Sequence, residues 1–304
     1  MTANTTDVKN IDDVFSEVKY VLSLMYPDDE FNMLTCAYTD ILHLFDGKYD
    51  GYKACNTPFH DLQHTLDCLL AMIRLLHGAF IDNLKFPPKE VELGLIAALM
   101  HDTGYIQTTE DIEGSGAKYT LVHVRRSAEF LKGYFKKKGY SDEDAAYCMN
   151  CINYTGLGTE IEVIKPENKR FDIMGQMLGT ADLVGQMADH AYLEKLLFLA
   201  KEFKEGQVPG YEGEDALLLK TKEFYLESRK RLKKEYGSVA RYLKSHFRQR
   251  WDIDRNVYLE AIQNQISYLE HILNKYPDRY HEHLRRGFSN KLIQTKNSNS
   301  SSTK

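Results

Sequence analysis

The chain lacks the apolar–polar alternation, bounded by turns, that marks β-strands, and it carries no internal repeat. It also lacks positive charge in excess: 39 Lys and Arg stand against 44 Asp and Glu, a net charge of -5. A general nucleic-acid binder or a protein held on anionic membranes would show a clustered basic excess, so neither partner is expected. No apolar stretch reaches the ~18–20 residues of a membrane span. Cysteine is scarce and odd in number: Cys36, Cys55, Cys68, Cys148 and Cys151. With no secretory signal ahead of them, they predict reduced thiols and a cytoplasmic protein. Cys148-x-x-Cys151 has no second CxxC to complete a zinc site, and two thiols on one helix is its plainer reading.

What remains is helix after helix. The hydrophobic fraction of 43% over 304 residues is enough for a substantial core. Val8, Ile11, Val14, Phe15, Val18, Val21 and Leu22 recur with the 3.6-residue period. Similar stripes cover about 31–46, 60–85, 89–101, 123–138, 141–154, 170–188, 190–205, 214–235 and 253–275. Loops are expected at 55–58, 103–119, 156–168 and 206–213. Together these predict an all-α fold, a compact multi-helix bundle forming one domain over 1–287. Residues 288–304, mostly Ser, Asn, Thr and Lys, predict a disordered tail.

Five polar residues stand out against this background. His60 and His64 lie four apart in Phe59-His-Asp-Leu-Gln-His64, on one face of a helix beginning near His60. The run that follows is apolar almost all round, so this helix should be buried and its histidines need partners. His101 and Asp102 end a second apolar run, Leu95-Ile-Ala-Ala-Leu-Met. A carboxylate at a helix C-terminus opposes the macrodipole, and a bound cation would remove the conflict. Asp182 sits among Met174, Met177, Leu178, Leu183 and Val184, where an acid must be paired or bound to metal. Any one of these groups alone reads as structural. Together they suit a divalent metal that polarises phosphate oxygens and ionises a water.

The order H…HD…D resembles the HD superfamily of metal-dependent phosphohydrolases, and most closely the catalytic domain of class I cyclic nucleotide phosphodiesterases. Residues 59–64 resemble that family's first histidine element, Ala181-Asp182-Leu183 its isolated Asp, and Gln265-Ile-Ser-Tyr268 its Q-x-x-F element. The resemblance spans roughly 55–275 and implies a catalytic core over about 55–195 with helical additions at both ends. It implies that His64, His101, Asp102 and Asp182 hold a first metal, usually zinc. It implies that Asp102 bridges to a second, usually magnesium or manganese; iron is also compatible. His60 would be the general acid, Asp182 would also orient the attacking water, Gln265 would bond a purine and Tyr268 would stack on it. The chain departs from the family at Tyr105, which stands where a histidine is common, and in the longer interval from Asp182 to Gln265. His123 resembles a later histidine of bacterial HD hydrolases that binds the second metal. Its plainer reading is a surface histidine opening an amphipathic helix. No histidine falls within 140–180, which counts against the di-iron oxygenases of this superfamily.

The expected activity is hydrolysis of a phosphoester by metal-activated water, on a small anionic substrate such as a 3',5'-cyclic nucleotide. Two alternatives stay open. One is a hydrolase of nucleoside mono- or triphosphates, with Arg125, Arg126 or Lys118 gripping a terminal phosphate. The other is a regulatory module that binds metal without turnover. Helices before residue 50 and around 214–250 would serve a homodimer or a substrate lid.

Overall fold

The computed structural model describes residues 11–156, 169–211, 214–277 and 279–284. Eleven α-helices occur among them: α1 (Ile11–Met25), α2 (Asn32–Phe45), α3 (Leu62–Ile81), α4 (Pro88–Met100), α5 (His123–Lys138), α6 (Asp142–Ile152), α7 (Lys169–Ala188), α8 (Tyr192–Glu205), α9 (Glu214–Lys234), α10 (Arg241–Trp251) and α11 (Val257–Lys275). No strand occurs among the described residues; Tyr52 and Thr108 form an isolated bridge. The fold is all-α, as the periodicity predicts. The expected tail at 288–304 and most of the loop at 156–168 lie outside the described residues.

Local sequence fixes where the central helices start. The Asp61 side chain accepts from the His64 backbone N–H at 2.9 Å, an N-cap that begins α3 and puts His64 in its first turn. Pro88 opens α4, where a missing N–H costs nothing. Beyond its first turn α3 is buried almost all round, packed against α1, α4, α7 and α10. Its apolar length corrects one expectation. An 18-residue window of α3 has mean hydropathy 1.3, long and apolar enough to cross a membrane by composition, yet 83% of it is buried inside the protein. Asp67, Arg74 and His77 interrupt the run, which is why it does not read as a span in the sequence.

α10 is the helix the sequence stripes omit. Its buried face includes Ser245 and His246 as well as Tyr242, Leu243 and Phe247, so the apolar period is broken by polar groups. Those polar groups meet polar partners on α3 instead. His77 Nδ1 and His246 Nδ1 lie 2.9 Å apart. Arg74 donates to the Tyr258 hydroxyl at 2.8 Å, and its guanidinium sits 5.6 Å from the Phe247 ring. Gly78 lets the helices come this close, because a Cβ there would fall 1.8 Å from the Tyr242 carbonyl oxygen. The two segments framing the site, Thr103–Tyr105 and Gly116–Tyr119, are single 3-10 turns inside the predicted loop 103–119.

Candidate metal centre

His64, His101 and Asp102 come together at one point, with Asp182 beside the two imidazoles. α3 contributes His64 from its first turn, α4 ends at His101 and Asp102, and α7 presents Asp182 from its interior. All four residues are buried. His64 Nε2 lies 3.1 Å from Asp102 Oδ2, 3.2 Å from Asp182 Oδ1 and 3.3 Å from His101 Nε2. His101 Nε2 lies 3.3 Å from Asp102 Oδ2 and 3.7 Å from Asp182 Oδ1. Ligands arranged tetrahedrally at about 2.0–2.2 Å from a metal stand about 3.3–3.6 Å from one another. Most of these spacings lie close to that range, and His64, His101 and Asp102 form a buried group that could hold a metal ion.

The hydrogen bonding fits a cation. Asp102 Oδ2 is buried between the His64 and His101 Nε2 atoms, at 3.1 Å and 3.3 Å, and a buried carboxylate is costly unless positive charge compensates. His101 Nδ1–H donates to the Ala98 carbonyl at 2.8 Å, which leaves Nε2 as the atom facing the other donors. Gln186, one turn beyond Asp182, donates to Asp182 Oδ1 at 3.3 Å. Burial alone would lower the His64 pKa, but bonds to Asp102 and Asp182 outweigh it and raise it to about 9. His101 is raised by the same carboxylates against the same burial. Burial opposes charge on Asp102 and Asp182 as well, yet the two imidazoles hold both carboxyls well below their usual range. Without a cation the cluster keeps protons between its carboxylates, and a metal would take their place.

His123 lies alongside this group. His123, the first residue of α5, donates from Nδ1 to the Thr120 carbonyl at 2.6 Å. Its Nε2 faces Asp102 Oδ1 at 3.7 Å. Burial lowers its pKa, so the lone pair is available at neutral pH. Asp102 thus turns one oxygen to the His64–His101 group and the other to His123. His123 does open the amphipathic helix α5, and its ring is part-buried against Asp102 and Tyr105. Gly104 permits this approach, since a Cβ there would fall 2.1 Å from the His123 carbonyl oxygen.

His60 stands just before α3 and is fixed on two sides. Its Nδ1 lies 2.6 Å from Glu202 Oε2, and Glu202 Oε1 accepts from the Phe59 backbone N–H at 2.7 Å. The Tyr105 ring stacks on it, with centroids 4.2 Å apart and planes 13° from parallel. The Tyr105 hydroxyl lies 3.5 Å from His60 Nε2. Burial, with the charges of Asp102 and Glu202, raises the Tyr105 pKa well above its ordinary value, so it remains a phenol. Glu202 and Gln186 are absent from the sequence-derived set. Glu202 left a trace there: an acid on the apolar side of α8, beside Leu199 and Phe203.

The remaining candidates are engaged by other groups. Gln265 on α11 is buried and donates from Nε2 to the Asp189 carbonyl at 2.8 Å. Asp189 is the residue just beyond the end of α7. The Tyr268 hydroxyl donates to the His283 carbonyl at 2.7 Å. Arg126 donates to the carbonyls of Gly104 at 2.7 Å and Ile106 at 3.2 Å. Lys118 pairs with Asp111 at 2.5 Å, and Arg125 is exposed beside Glu129 at 3.8 Å. The five cysteines are free, and Cys148 and Cys151 are both buried on α6, as two helix thiols.

No family model, curated protein or solved structure matches the chain. The His/Asp cluster does not by itself identify a family.

Proposed function

We propose that the protein is an HD-type metal-dependent phosphohydrolase that cleaves a phosphodiester, with a 3',5'-cyclic nucleotide as the substrate class. One observation carries this reading: a buried His64–His101–Asp102 group at metal-ligand spacing, with Asp182 beside it, lies four residues along the chain from a histidine whose Nδ1 is held by a buried carboxylate. A purely structural metal site has no use for that neighbouring His–Glu pair.

His64, His101, Asp102 and Asp182 would hold the first cation, and Asp102 with His123 the second. Bound there, divalent cations would supply hydroxide near neutral pH and offset charge on the phosphate oxygens. Glu202 anchors His60 Nδ1, which leaves Nε2 as the atom that passes a proton to the departing alkoxide. General-acid catalysis of this kind is worth typically ~10²–10⁴-fold in rate. Tyr105 covers one face of the ring and keeps its plane fixed. Gln265 Oε1, buried with no hydrogen-bond partner, is the acceptor left for a base edge. Tyr268 would offer its ring to stacking.

The terminal-phosphate alternative draws less support, since Arg126 and Lys118 are already engaged by loop carbonyls and Asp111. The test is a panel of cyclic nucleotides, linear nucleotides and an aryl phosphodiester, each with added manganese or magnesium. Release of product from cyclic nucleotides and the aryl diester is expected. Release from nucleoside triphosphates alone would favour the alternative, and no release from any would favour a regulatory module.

A further inference from the structure

The whole-chain charge of -5 hides a local excess of the opposite sign. Between Arg229 and Arg250, nine Lys and Arg stand against one acid, Glu235. This segment runs from the last turns of α9 into α10. Two of its cations are held within the fold: Arg231 pairs with Glu235 and Arg250 with Glu17, both at 2.9 Å. On α10, Arg241, Lys244, Arg248 and Trp251 follow one another at intervals of three, four and three residues. At 3.6 residues per turn this spacing puts all four within an arc of about 80°. All four are exposed. The opposite face, with Tyr242, Leu243, His246 and Phe247, is buried, and α10 packs on α3. The core therefore fixes the direction in which the basic stripe points.

The stripe ends in exposed apolar surface. Trp251 is the single tryptophan of the chain and is 37% exposed. The Arg250 guanidinium lies 4.9 Å from the centroid of its ring and 4.5 Å from that of Tyr20 on α1. Tyr20 is 49% exposed, and Leu24, one turn further along α1, is 45% exposed. Scattered apolar groups on a surface are ordinary. Here two aromatic rings share one arginine at the end of a row of cations.

We propose that this face of α10, with Tyr20 and Leu24 of α1, docks the protein on anionic phospholipid bilayers. Arg241, Lys244 and Arg248 meet the headgroup charges, and Trp251, Tyr20 and Leu24 sit at the boundary with the acyl chains, where Trp and Tyr rings are favoured. Acids elsewhere on the protein do not cancel the attraction, because charges more than about 8–10 Å away are screened at physiological salt. Asp254 reaches Lys244 at 3.2 Å, but both side chains are well exposed, and such a pair holds too weakly to compete with a charged surface. Leu24 favours a bilayer over a nucleic acid, which has no apolar phase to receive an aliphatic side chain. The inference is independent of the metal centre and of its activity.

The experiment sediments the full-length protein with sucrose-loaded vesicles of phosphatidylcholine alone or mixed with phosphatidylserine, and follows the emission of Trp251. Binding is expected to the mixed vesicles and not to the neutral ones, with a blue shift of the emission. Replacing Arg241, Lys244 and Arg248 together by Gln should weaken binding about 100-fold, since each cation near an anionic surface contributes about fivefold. Arg241→Lys with Arg248→Lys keeps the charge and should keep the binding. Circular dichroism verifies that the variants fold. No binding to the mixed vesicles, equal binding to neutral ones, or undiminished binding of the folded triple variant would overturn the proposal. Should the triple variant not fold, loss of binding in the folded double Lys variant would overturn it instead. A single-stranded RNA that strips the protein from the vesicles would assign the face to nucleic acid and overturn the membrane reading as well.

Discussion

His60 Nδ1 lies 2.6 Å from Glu202 Oε2, joining residues 142 apart in the chain. The contact fixes which ring nitrogen faces the metal side of the site. Glu202→Gln keeps the size of the side chain but removes the carboxylate that holds the ring. Turnover of an aryl phosphodiester should fall about 10²-fold, with metal content unchanged by elemental analysis. Unchanged turnover would mean that His60 does not act as the proton donor.

Metal binding should release protons. His64 is raised to about 9 by Asp102 and Asp182, so it is protonated at neutral pH in the metal-free protein. A cation displaces that proton, and affinity should rise with pH up to about 9 and fall on the acid side. Calorimetric titration of zinc in buffers of different ionisation enthalpy measures the release. Metal in 100-fold excess over its dissociation constant should also stabilise the fold by about 2.7 kcal/mol, and a chelator should reverse the shift in thermal midpoint.

The His77–His246 pair predicts acid lability. Burial and Arg250 lower the His77 pKa to about 4. Burial, with Arg74, His77 and Arg250, lowers His246 further. In the unfolded chain both titrate near their ordinary value of about 6.5, so below that pH protons favour the unfolded state. Stability is full above pH ~6.5 and is lost as pH falls toward 4, by on the order of 3 kcal/mol for His77 alone. Urea unfolding across this range should show the slope, and His77→Phe should reduce it.

Gly78→Ala tests how α10 docks. The added Cβ would meet the Tyr242 carbonyl oxygen at 1.8 Å, with backbone on both sides and no flexible end to yield. The variant should lose ~1–3 kcal/mol in urea unfolding, despite the better helix propensity of alanine. A gain in stability would show that α10 does not sit against α3 in this way.

The sequence carried the helices and the donor cluster further than the groups that orient them. His64, His101 and Asp102 are legible because short local motifs and apolar helix runs place them, and Asp182 because an acid within an apolar stripe needs a reason. Glu202 and Gln186 are not, since their meaning depends on a partner that only packing supplies. For Glu202 that partner is His60, far away in the chain. The same holds for α10, whose buried Ser245 and His246 make sense only opposite Asp82 and His77. Gln265 shows the converse. A plausible motif residue has its amide nitrogen engaged by the Asp189 carbonyl, which no spacing rule anticipates.

The most direct measurement is paired: metal content and aryl phosphodiester turnover of the same His60→Ala and Asp102→Ala proteins. His60→Ala should keep wild-type metal content and lose about 10²–10⁴-fold in turnover. Asp102→Ala should lose the metal itself, and activity with it. A His60→Ala enzyme with full turnover, or an Asp102→Ala protein with a full complement of metal, would contradict the account.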